Sequence, residues 1–125
     1  YQWIKTTDKV QMNTLFKRLQ KLVPENGTNL SQAFSVIRKM PKKPDNIILI
    51  TDGLPTLGNK KTNKHNISPS ERVKLFNKAI KLIPKKIPLN TILLPMEGDP
   101  MAAVLFWKLA IDTQGSFMTP SRDWP

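Results

Sequence analysis

The stretch "IILITDGLPTLG", residues 47–58, constrains the fold more than any other part of the chain. Ile47, Ile48, Leu49 and Ile50 run without alternation into Thr51, Asp52 and Gly53. A strand with one wet face alternates apolar and polar side chains. An unbroken, mostly β-branched run instead marks an inner strand of a parallel sheet, covered by helices on both faces. The acid that follows is then a carboxylate delivered at the tip of a buried strand.

The flanking sequence supplies the helices that such a sheet needs. Met12, Leu15, Phe16, Leu19, Leu22 and Val23 recur at helical spacing behind the capping residues Thr6, Thr7 and Asp8, and Pro24 ends the run. Leu30, Ala33, Phe34, Ile37 and Met40 mark a second helix. After the first strand, Ser68-Pro69-Ser70-Glu71 reads as a capping box with proline at the first helical position, and Val73, Phe76, Ile80 and Ile83 continue that helix as its apolar stripe. "LNTILLP" is a second strand. Asp99-Pro100 opens a last helix with Val104, Leu105, Leu109 and Ala110 inward, and Trp107 in the core or half-buried. Gly115 closes that helix as its left-handed residue, and "SFMTP" is a short third strand. The alternation predicts an α/β layer fold with a parallel sheet. Right-handed crossovers then bring both strand-to-helix loops, with Asp52 and Asp99, to the carboxyl edge, where such folds bind ligands.

With 125 residues the chain is about one domain long, here taken as 1–125. It has no cysteine, which excludes disulfides, thiolate metal sites and cysteine nucleophiles. No apolar run approaches the ~20 residues of a membrane span. A net charge of +11 suits nucleic acid, anionic lipid or an acidic protein without requiring any of them.

A carboxylate held rigidly at a strand tip, beside hydroxyl oxygens and water, is a hard-oxygen environment suited to Mg²⁺ or Ca²⁺. Gly53 lets the chain turn and a ligand approach. The plainer role for Asp52 is to cap the turn through backbone amides. For Thr28 or Asn29, in the turn "NGTNL", the plainer role is capping of the second helix.

Gly27-Thr28-Asn29-Leu30, followed by the strand Ile47-Ile48-Leu49-Ile50-Thr51-Asp52-Gly53, resembles the von Willebrand factor A family. The later strand "NTILL", the helix "AAVLFWKLAIDTQGSF" and the terminal short strand are similar in kind and order, so the resemblance spans essentially the whole chain. It implies a Rossmann-like, three-layer fold and a metal-ion-dependent adhesion site. Thr28 matches the family's threonine and Asp52 its aspartate. In the family the ion keeps an open position that an acidic group of a partner protein fills, so the implied function is non-catalytic protein binding. Many bacterial members face the periplasm or the exterior.

The family's third motif, Asp-x-Ser-x-Ser, does not occur in this sequence. The chain, which opens on Tyr1, therefore resembles the C-terminal portion of such a domain, with the first strand, its helix and two further strands upstream. Two expectations follow. A cation bound by the full domain binds this chain weakly or not at all, because two oxygen donors are too few. The strand over residues 47–51, deprived of its usual neighbour, becomes an exposed apolar edge that pairs with a second copy or is covered by another protein, unless the sheet rearranges to hide it.

Lys60, Lys61 and Lys64 flank the expected ligand edge as a positive rim for an acidic partner, with Asp99 a weaker candidate there. Asp99 before Pro100 is more simply a helix cap, and His65 a solvated loop residue. No serine has a plausible histidine partner or sits in a nucleophile elbow, and no glycine-rich loop has phosphate-cradling spacing, so no enzyme chemistry is indicated. The alternative to adhesion is a basic α/β nucleic-acid-binding domain, which the scarcity of arginine and of interleaved aromatics disfavours.

Overall fold

The computed structural model describes residues 3–23, 27–58, 67–94 and 98–120. Four helices and three strands follow in the order α1 (Lys9–Gln20), α2 (Leu30–Lys39), β1 (Ile47–Thr51), α3 (Pro69–Ile80), β2 (Leu89–Leu93), α4 (Pro100–Asp112) and β3 (Phe117–Met118). The α/β class and the parallel sheet are as the sequence predicts.

Helix starts follow their local chemistry. Asp8 accepts from the Gln11 amide at the start of α1. Asn29 accepts from the Gln32 amide at the start of α2. Ser68 and Glu71 form the complete capping box of α3, with Pro69 just inside. Each bond satisfies an amide that the first helical turn leaves without a carbonyl.

The sheet has the order β1-β2-β3 and both pairings are parallel, with Ile47 opposite Leu89, Thr51 opposite Leu93, and Thr91 opposite Phe117. One face of the sheet is the core. Ile47, Thr51, Leu89, Thr91 and Leu93 are buried, and Leu49 and Phe117 pack against the same cluster. Leu30 and Phe34 of α2, Phe76 and Ala79 of α3, and Ala102, Phe106 and Leu109 of α4 complete it. The Phe76 and Phe106 rings meet edge to face, with centroids 5.1 Å apart. Such a contact adds about 0.5–1.5 kcal/mol beyond the area it buries.

The other face is bare among the described residues. Ile48 and Ile50 are 65% and 64% exposed, and Leu94 and Met118 are about half exposed. Burial of β1 on both faces is thus met on one face only. Successive parallel crossovers that advance in one direction, each right-handed, place α3 and α4 on the same side of the sheet. β1 is also an edge strand among the described residues.

Two details of α4 differ from the sequence reading. Phe106 is the inward residue, while Val104 and Trp107 are exposed. The left-handed residue after α4 is Gln114, at φ 58°, not Gly115. The Gln114 amide donates to the Ile111 carbonyl and the Gly115 amide to that of Ala110 at 2.8 Å, the double bond pattern that closes a helix around one left-handed residue. Gly115 is required for a different reason: a Cβ there would collide with the Leu89 backbone.

Candidate functional site

β1 ends at Thr51, and the chain turns at once through Asp52, Gly53 and Leu54. The side chains that hold this turn are not those expected. The Thr51 hydroxyl bridges forward to Gly53, donating to its carbonyl at 3.0 Å. The Leu54 amide donates to Asp99 Oδ2 at 2.7 Å. Arg72 of α3 donates from Nη2 to the Leu54 carbonyl at 2.7 Å and lies 2.8 Å from Asp99 Oδ2. Asp99 and Arg72 are both largely buried, with side chains 4% and 14% exposed. A buried charge pair persists only when its lone pairs and protons are met by further hydrogen bonds, and both backbone groups of Leu54 serve that purpose.

Asp99 therefore joins the start of α4 to the β1 loop and to α3. Although it is the first residue ahead of α4, its side chain makes no capping bond, so neither the simple cap nor the solvent-facing rim residue describes it. Gly53 also has a structural cause. A Cβ there would stand 2.6 Å from Asp99 Oδ2 and 3.0 Å from Arg72 Nη2. The glycine admits the ion pair; its backbone is not in the left-handed region.

Thr28 belongs to the same edge. Its carbonyl accepts from the Thr56 and Leu57 amides, both at 3.0 Å, and its amide donates to Thr56 Oγ1 at 3.0 Å. Asn29 caps α2 and also donates to the Gly58 carbonyl at 3.2 Å. The turn before α2 is thus stitched along the loop that Asp52 opens, across a sequence separation of 28 residues.

Each plainer role is filled by a neighbour. Asn29, not Thr28, caps α2. Thr51 and Asp99, not Asp52, hold the turn. The Thr28 hydroxyl and the Asp52 carboxylate bond to no described residue. Asp52 is exposed and Thr28 half-buried. Two hard-oxygen donors are left uncommitted along one well-bonded loop.

The donor types fit Mg²⁺ or Ca²⁺, whereas their number does not complete a shell of six or more oxygens. No cluster of three or more His, Cys, Asp or Glu able to hold a metal occurs among the described residues. Lys60, Lys61 and Lys64, expected on the rim, lie outside the described residues, as does His65. Arg72 was not singled out from the sequence, yet a signal was there: it falls four residues before Phe76, on the apolar stripe of α3.

No helix among the described residues is long and apolar enough to cross a membrane. Compared with family models, with curated proteins and with solved structures, the chain matches none.

Proposed function

We propose that this chain is a non-catalytic protein-binding domain of the von Willebrand factor A type. In this reading Thr28 and Asp52 are two of the oxygen ligands of a divalent cation, Mg²⁺ or Ca²⁺, at the carboxyl edge of the sheet. The bound ion would supply a Lewis-acidic position for an acidic group of the partner. The positive charge of Lys60, Lys61 and Lys64, which follow the Asp52 loop in sequence, favours such a partner by steering.

The observation that carries the reading is the division of labour around the loop. Thr51, Thr56, Asp99, Arg72 and Asn29 make the side-chain bonds that hold it, while the Thr28 hydroxyl and the Asp52 carboxylate make none among the described residues. An exposed carboxylate on a well-bonded turn, itself bonded to no described residue, is open to a ligand. The family-level resemblance of "GTNL" and "IILITDG" supports the same two residues.

The test is a nuclear magnetic resonance titration with a glutamate-containing peptide in the presence and absence of Mg²⁺. Metal-dependent shift changes at Thr28, Asp52 and Gly53, lost in Asp52→Asn, are expected. Changes confined to the lysine-bearing connectors, indifferent to Mg²⁺ and to Asp52→Asn, would reduce the binding to non-specific charge and overturn the proposal.

A further inference from the structure

A groove of about 690 Å³ lies between the carboxyl ends of α3 and α4 and the connector that leads into β2. The strands are parallel, so this is the amino edge of the sheet, opposite the edge that carries Asp52. Ile87 and Leu109 belong to the core, 7% and 5% exposed, and make the floor apolar. Ile80, Ile83 and Pro84, at and after the end of α3, are half-buried and continue it as a wall. Lys81, Lys85 and Lys86 are exposed and form the lip. An apolar floor with a few convergent charges is the usual make-up of a small-molecule site.

The charge on the lip is not neutralised from within. The side chains of Lys81, Lys85 and Lys86 bond to no described residue. Asp112 is the one acid among the described residues of the lining, and it stands 3.8 Å from Lys108, one turn back on α4. Lys81 has a structural reason for its charge. It ends α3, where a cation suits the negative pole of the helix dipole. That effect fades beyond the last turn, and Lys85 and Lys86 lie past it. The carboxyl ends of α3 and α4, roughly half a negative charge each, oppose an anion here, but three ammonium groups outweigh them.

The backbone adds a separate observation. Lys86 is held at φ 65°, where glycine would cost least. Lys86 and Gln114 are the two non-glycine residues in the left-handed region among the described residues, and both line this groove. Gln114 is there because it closes α4. Lys86 closes no helix. Costly backbone of this kind concentrates at ligand clamps, and here it keeps an ammonium group where a glycine would supply none.

We propose that this groove binds a small carboxylate with an apolar body, such as a medium-chain fatty acid. The tail lies against Ile83, Ile87 and Leu109, and the head pairs with Lys85 and Lys86. Volume selects a small molecule, since pockets for such ligands run from roughly 300 to 1,000 Å³. Charge selects an acid over an alcohol or an amine. The inference is independent of the cation-binding rim, which lies at the other edge of the sheet.

Nuclear magnetic resonance titration of the whole chain with octanoate, 1-octanol and octylamine tests it, because the three share one tail and differ in the head. Acetate supplies the head without the tail. Saturable shift changes at Ile83, Ile87, Leu109 and Thr113 are expected with octanoate, at least about threefold weaker binding with octanol, and none with acetate. The double variant Lys85→Gln with Lys86→Gln should weaken octanoate by about threefold to tenfold, and Lys85→Arg with Lys86→Arg should retain it. Lys74→Gln with Lys78→Gln, on the outer face of α3, is the control for general charge. All four lysines are exposed, and circular dichroism checks that each variant stays folded. Equal binding of octanoate and octanol, or tighter binding of octylamine, would overturn the proposal. So would the absence of saturation, shift changes centred on Ile48 and Ile50 instead of the groove, or an octanoate affinity that falls no further in the Lys85/Lys86 glutamine variant than in the control.

Discussion

Asp99 accepts a hydrogen bond from the Leu54 amide at 2.7 Å across 45 residues of sequence, and the same carboxylate oxygen pairs with Arg72. One buried oxygen thereby joins the first turn after β1 to the start of α4 and to the first turn of α3. The loop bearing Asp52 is held by these contacts and, further along, by the bonds of Thr28 to Thr56 and Leu57. A preorganised loop with an exposed acid is what a binding edge requires, since little order then remains to be imposed when a ligand arrives.

Asp99→Ala should destabilise the fold by about 3–5 kcal/mol, because it leaves Arg72 as an uncompensated buried charge and the Leu54 amide without an acceptor. Asp52→Ala, at an exposed position with no bonded partner among the described residues, should fall within about 0.5 kcal/mol of the parent. Urea denaturation followed by circular dichroism measures both. Equal losses would mean that the two acids do not divide the work as their contacts indicate.

Phe106→Ala should cost about 3–5 kcal/mol, as expected for a large fully buried side chain. Val104→Ala, at an exposed position two residues away on the same helix, should cost well under half of that. Thermal melts of the pair distinguish the inward face of α4 from its exposed one.

Gln114→Gly should stabilise the protein, by about 0.5–1 kcal/mol. A residue with a Cβ held at φ 58° costs about 1–2 kcal/mol, part of which glycine returns as chain entropy in the unfolded state. Gly115→Ala should be strongly destabilising, because its Cβ would meet the Leu89 backbone at the β2 register. Exchanging which of the two positions tolerates a side chain would contradict the described helix end.

Retention on DNA should be weak and should disappear at moderate salt without a steep dependence on its concentration. A nucleic-acid-binding domain making several phosphate contacts would instead lose affinity as a high power of salt. Filter binding across a salt series separates the two.

Much of the architecture is legible in local chemistry. The capping box Ser68/Glu71, the prolines at the starts of α3 and α4, and the apolar runs of β1 and β2 act within a few residues, and the elements form where they point. Properties set by distant neighbours are not legible in this way. An apolar run such as Ile47–Thr51 reads as doubly covered whether or not a second helical layer is there to cover it. α4 is apolar around most of its circumference, so periodicity does not separate Phe106 from Val104 or Trp107. The Asp99–Leu54 bond depends on the crossover that brings two loops to one edge, which residue spacing alone does not give. Of the proposed site, Thr28 and Asp52 are readable in the "GTNL" and "TDG" turns, whereas the buried Arg72–Asp99 pair beside that loop is not.

The most direct measurement is the broadening of amide and side-chain resonances by Mn²⁺, a hard cation whose paramagnetism reports even weak occupancy. The account predicts distance-dependent broadening centred on Thr28, Asp52 and Gly53, abolished in Asp52→Ala and displaced by Mg²⁺. Broadening centred instead on Asp8, Asp45 or Asp112, or unchanged in Asp52→Ala, would contradict it.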